Sequence, residues 1–118
     1  MDDLITLPGS IPGLLRRGSP VIGSGEFAGR RGVIVDPPLG GSHAVVALEA
    51  TATADASGEW LPRAELDLDL TDATGRAHAA WWLLDRPDPR HRSLLVEPRH
   101  ADPGYLRQTC LHVAGVPA

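Results

Sequence analysis

Lysine is absent from this chain. All eleven basic residues are arginine, which points to codon bias in a high-GC bacterium rather than to a particular partner. Cysteine occurs once, at Cys110, so no intrachain disulfide can form and cysteine usage gives no argument for an oxidising compartment. The longest apolar run, Ala79 to Leu84, is far short of a helical membrane span, and Met1-Asp2-Asp3 is acidic where a secretory signal would be positive. These absences predict a soluble, cytoplasmic protein without a membrane partner. Also missing are the Gly-x-Gly-x2-Gly fingerprint, the P-loop and the nucleophile elbow.

What is present fits a single domain. A chain of 118 residues with 42% apolar content can bury an ordinary core, and its 13 glycines and 11 prolines break it into short elements joined by turns. Charge is uneven. Residues 18–70 hold Arg30, Arg31 and Arg63 against eight acids, the opposite of a phosphate-binding balance, while residues 71–118 hold six arginines against five acids. The only basic stretch is Arg86, Arg90, Arg92 and Arg99, beside His91 and His100.

Along the chain, residues 1–17 contain Pro8, Gly9, Pro12 and Gly13, which interrupt both periodicities and predict an irregular N-terminal arm. Strand signals follow at Pro20–Ile22, Arg31–Val35 and Ala44–Leu48, the last two joined by turn chemistry, and together they read as an antiparallel β-meander. The small, polar run Ala50 to Gly58 reads as a mobile loop. Beyond it Leu66, Leu68 and Leu70 alternate with Glu65, Asp67 and Asp69, predicting a half-buried strand with a solvated acidic face. Residues 71–118 form a C-terminal extension of the same domain. Within it, residues 72–85 are open between helix and hairpin; as a helix, Ala73, Ala77, Ala80, Trp81 and Leu84 share a stripe, with Thr71 or Asp72 as cap and Pro87 as stop. Ser93–Glu97 reads as an edge strand. A further helix is predicted at Pro103–Ala114, capped by Asp102 and stopped by Gly115.

The spacing Gly18-x2-Val21-x3-Gly25-x3-Gly29-x2-Gly32-x-Ile34 compresses turn chemistry between two strands, with glycine supplying positive φ where the chain reverses. It resembles the KOW-type motif of SH3-like small barrels, found in ribosomal proteins and transcription elongation factors. Trp60-Leu-Pro-Arg-Ala-Glu-Leu-Asp-Leu is similar to the closing strand of such barrels. The resemblance covers about residues 18–70. It implies an α+β, mainly β fold: an SH3-like small barrel, an antiparallel meander, with one or two C-terminal helices packed on it. It also implies a partner-binding loop at Gly25–Gly32. Since Val33–Val35 and Ala44–Leu48 are apolar on both faces, the helices are expected to cover the outer side of those strands.

Two groups of side chains are candidate binding residues. Phe27 flanked by Arg30 and Arg31 has the composition of a stacking and phosphate-gripping tip, though the same residues also serve as a barrel end with solvated arginines. Trp81 and Trp82 are adjacent and so lie on different sides of a helix, one suited to the core and one to an interface. No histidine pair has metal-ligand spacing, and Cys110 with His112 lacks the third group that a nucleophilic pair needs. No catalytic residue, metal or cofactor is expected. The leading expectation is a non-enzymatic interaction module, an adaptor or assembly subunit that binds a protein partner or a second copy; the alternative is a nucleic-acid-associated KOW-type factor.

Overall fold

The computed structural model describes residues 4–37, 41–86 and 98–116. Six strands form one antiparallel sheet: β1 (Thr6–Pro8), β2 (Pro20–Gly23), β3 (Arg31–Asp36), β4 (His43–Leu48), β5 (Ser57–Pro62) and β6 (Leu66–Asp69), in the order β1-β6-β2-β3-β4-β5. β2 to β4 are the expected meander; β5 extends it by one strand that the sequence did not indicate, where a loop to Gly58 and a lead-in to the closing strand were expected. β6 returns, through a 3-10 turn at Arg63–Glu65, to pair with β2, so that Val21 faces Leu68 on one side and Gly32 on the other. The sheet has two edges, β1 and β5, and does not close into a barrel.

Two C-terminal helices complete the α+β architecture. α1 (Ala73–Leu84) starts at Asp72, whose carboxylate accepts from the Thr74 N–H at 2.8 Å, which settles residues 72–85 as helix. α2 (Pro103–Ala114) begins with Asp102 accepting from the Tyr105 N–H and ends at Gly115, held at φ 74°. One apolar cluster joins the inner sheet face to the helices, through Leu7, Val21, Ile34, Val46, Leu68, Leu83 and Leu106 among others. Pro87 and the segment Ser93–Glu97 lie outside the described residues, as do Arg90, His91 and Arg92.

Several expectations are corrected. The N-terminal arm is not irregular throughout. Thr6–Pro8 pair with Asp67–Asp69, and Leu7, Ile11, Leu14 and Leu15 are core residues, because β6 supplies a partner strand that local periodicity cannot reveal. The loop after β4 ends sooner than its composition indicated, since Ser57 and Gly58 already pair with Leu48 and Ala47. The acidic side of β6 is solvated only in part: Glu65 and Asp67 are half-buried, whereas Asp69 is buried and accepts from Arg31 Nη1 at 2.8 Å and from the Thr71 N–H at 2.9 Å, so β3 is tied to β6 across β2. Of the expected stripe of α1, Ala77 and Ala80 are buried, but the buried face is wider and turned toward Gly75, His78, Ala79, Trp82 and Leu83, leaving Trp81 outside. An alanine-rich helix carries little phase information of its own; here the docking contacts of His78 and Trp82 set its rotation.

The expected cover is also corrected. The helices pack on each other and against β1, β2 and β6, while Val33, Val35 and Val45 on the outer side of β3 and β4 stay exposed. Both strands alternate in burial despite being apolar on both faces.

Among the motif glycines, two show different reasons for being glycine. Gly29 has φ 82°, as the turn requires. Gly32 has no positive φ; a Cβ there would meet the Ala47 carbonyl oxygen at 2.8 Å, so close strand approach excludes a side chain.

Candidate functional site

The strand register assembles the exposed outer face. Val33 of β3 lies opposite Ala47 of β4, which lies opposite Gly58 of β5; the next row brings Val45 opposite Trp60. Beyond them Val35 is the extra residue of a β-bulge, between the pairs Ile34–Val46 and Asp36–Val45. Trp60 is 71% exposed, with its ring centroid 4.6 Å from that of His43, whose Nδ1 is 2.8 Å from Ser42 Oγ. An indole left this far in water, in a row with valines, is the feature that marks an interaction face.

Trp60 also stands on an edge. The Arg63 N–H donates to the Ser42 carbonyl at 2.8 Å, and antiparallel ladders alternate, so the backbone groups of Leu61, Glu59 and Ser57 turn toward β4. Those of Gly58 and Trp60 turn away from it. Among the described residues nothing pairs with them.

The residues singled out from sequence are placed differently from one another. Phe27 is partly buried against the core, with the Arg30 guanidinium 5.8 Å from its ring. Arg30 Nη2 donates to the carbonyls of Glu49 and Asp55, at 2.9 and 3.0 Å, and Arg31 is held by Asp69. Both cations are thus engaged inside the chain. Trp82 is 3% exposed, donates from Nε1 to the Pro12 carbonyl at 3.0 Å, and carries the Arg86 guanidinium 4.1 Å over its ring. Trp81 is 44% exposed and sits beside Arg16 and His78. The two tryptophans therefore divide between core and surface, and the structure does not bring Trp81 together with Phe27, Arg30 and Arg31 through any described contact.

Sequence reasoning missed Trp60 as a surface residue. The signal was the alternation Glu59-Trp60-Leu61: with Leu61 turned to the core, its neighbour must point out.

One buried constellation has the outline of a nucleophilic site. Ser19 Oγ lies 2.7 Å from His78 Nδ1 and accepts from the Arg16 N–H at 3.0 Å. Burial lowers the His78 pKa from its ordinary value, Arg16 lowers it further, and Asp72 opposes them. The neutral imidazole shares one hydrogen bond with the Ser19 hydroxyl through Nδ1. Ser19 is wholly inaccessible, which shuts it off from any substrate and makes the pair a tie between α1 and the start of β2. Cys110 is equally closed: burial pushes its thiol up to about 12 against a smaller opposing pull from Arg86, and His112 is exposed on another side of α2. Burial also raises the pKa of Asp67. Among the described residues no group of three or more His, Cys, Asp or Glu is placed to hold a metal ion, and no helix is long and apolar enough to cross a membrane.

Neither a family model, nor a curated protein, nor a solved structure matches this chain.

Proposed function

We propose that the chain is a non-enzymatic protein-interaction module, an adaptor or assembly subunit, that docks its partner on the outer face of β3, β4 and β5 around Trp60. The observation that carries this reading is the exposed Trp60 in one row with Val45, beside the row of Val33 and Ala47. Aromatic residues at the centre of an apolar patch are where binding energy concentrates. A KOW-type, SH3-like origin for residues 18–70 belongs to the same proposal; the meander β2 to β5 and the return of β6 beside β2 support it. The nucleic-acid alternative has less support, since Arg30 and Arg31 spend their guanidinium groups on Glu49, Asp55 and Asp69.

The test is a pull-down from the source cell after nuclease treatment, with the parent chain and Trp60→Glu. A protein partner that survives nuclease and is lost with Trp60→Glu supports the reading. Loss on nuclease treatment, or equal capture by both chains, overturns it.

A further inference from the structure

We infer that β5 is a strand-addition site: its free edge takes an extended segment of a partner protein, with a basic residue opposite Glu59 flanked by apolar residues opposite Gly58 and Trp60. This rests on the reading of the β5 face as a docking surface and specifies how the partner engages it.

Three observations carry it. The outward backbone groups of Gly58 and Trp60 offer a short ladder of donors and acceptors that nothing among the described residues meets. Gly58, opposite Ala47, has open space where a side chain would stand, so an apolar residue laid across it packs on the flank of the Trp60 indole. Charge fixes the middle position. Residues 36–70 carry seven acids against Arg63 alone, and Glu59 has no ion pair among the described residues.

The same charges disfavour a second copy of this chain as occupant. A two-fold pairing of β5 with itself that uses both free residues sets Gly58 against Trp60 and Glu59 against its own copy, and like charges directly opposite are destabilising. Centring the pair on Trp60 instead brings in Pro62, which has no N–H to donate.

The probes are a capped peptide with the core Thr-Val-Arg-Val-Thr, its Thr-Val-Glu-Val-Thr counterpart, and the arginine peptide with its edge-facing amides N-methylated. Each is titrated to millimolar concentration against the full chain, with amide shifts and hydrogen exchange followed. The expected result is slowed exchange and shifts at the Gly58 and Trp60 amides with the arginine peptide. The glutamate peptide should bind about three- to ten-fold more weakly, and the N-methylated peptide should lose the effect. Gly58→Pro removes one outward donor without touching the β4 ladder, and Ser57 before it is already extended; binding should fall on the order of ten-fold with thermal unfolding unchanged. The N-methylated peptide tests the same bonds on the intact chain if Gly58→Pro unfolds.

Equal binding of the arginine and glutamate peptides, absence of protection at Gly58 and Trp60, or a dimer of the parent that dissolves in Gly58→Pro overturns the proposal. The pull-down with Trp60→Glu reads the face, whereas the peptides read the edge. A partner lost with Trp60→Glu but kept by a folded Gly58→Pro therefore overturns strand addition and leaves the docking face standing.

Discussion

The two edges of the sheet are finished in different ways. β1 is three residues long, ends in Pro8, lies against α2, and has its Thr6 carbonyl taken by Arg107 Nε at 3.2 Å. β5 is six residues long, and Gly58 and Trp60 turn their backbone groups away from β4, with no partner among the described residues and an exposed indole beside them. Short strands, proline and covering helices are the usual protections against edge-to-edge association. This chain applies all three at β1. At β5 the described residues retain only Pro62 and the charge of Glu59, which is the pattern expected where one edge is reserved for a chosen partner.

The sharpest way to break the comparison is to cut into the covered half. Trp82→Ala should cost about 3–5 kcal/mol, because it opens a large cavity and leaves the Pro12 carbonyl without its donor. That loss is a large share of the stability of an ordinary domain, so thermal or denaturant unfolding should show a partly or wholly unfolded variant. A stable Trp82→Ala would mean that the helices are not what closes the core on the β1 side.

The junction between the halves comes next, at the hairpin joining β2 to β3. Gly32→Ala should cost about 1–3 kcal/mol, since even a methyl group meets the Ala47 carbonyl. At Gly29 the requirement is conformational. Gly29→Asn should be tolerated to within about 1 kcal/mol, and Gly29→Val should cost more, because asparagine visits positive φ and valine does not. Denaturant midpoints for the three variants check this; equal losses for Gly29→Asn and Gly29→Val would remove the φ argument.

Legibility in the sequence follows the range of the interactions involved. α2 was readable because its signals are local: Asp102, Pro103 and Gly115 cap one stretch of chain. β2 to β4 were readable for the same reason, whereas β5 was not: its first residues, Ser57 and Gly58, end a small, polar run and become strand only by pairing with β4. β1 was not, since Thr6-Leu7-Pro8 is a strand only by virtue of β6, which lies about sixty residues further along the chain. The burial of Asp69 depends on Arg31 reaching across β2, and no pattern within β6 foretells it. For the site, the outward direction of Trp60 was implicit in alternation. That it stays exposed was not, because cover is decided by where α1 and α2 dock, and His78 with Ser19 and Trp82 with Pro12 draw α1 to the other side of the sheet.

A smaller effect should appear with pH, and only in the covered half. His78 is held neutral, its pKa below the ordinary 6.5, so the unfolded chain binds the proton more readily than the folded one. The stability contributed by the Ser19–His78 tie is thus fully present above about pH 6.5 and is lost as pH falls below it toward the folded pKa. Melting temperatures of the parent across that window should drop toward acid, and His78→Gln should flatten the difference. An equal slope in both chains would place the titration elsewhere.

The smallest effect on folding should come from the residue with the largest proposed effect on binding. Trp60→Ala removes an indole that is mostly in water and touches chiefly the His43 ring, so its cost to stability should be no more than about 0.5 kcal/mol. Set against Trp82→Ala, this gives two tryptophans of one chain on opposite terms: one closes the core and is indispensable to folding, the other is dispensable to folding. Thermal unfolding of Trp60→Ala beside the parent decides it. A shift like that of Trp82→Ala would mean that the β5 edge is part of the core, and the contrast between the two edges would fail. An unchanged transition leaves Trp60 with no structural reason for being a tryptophan, which is the condition a docking residue should meet.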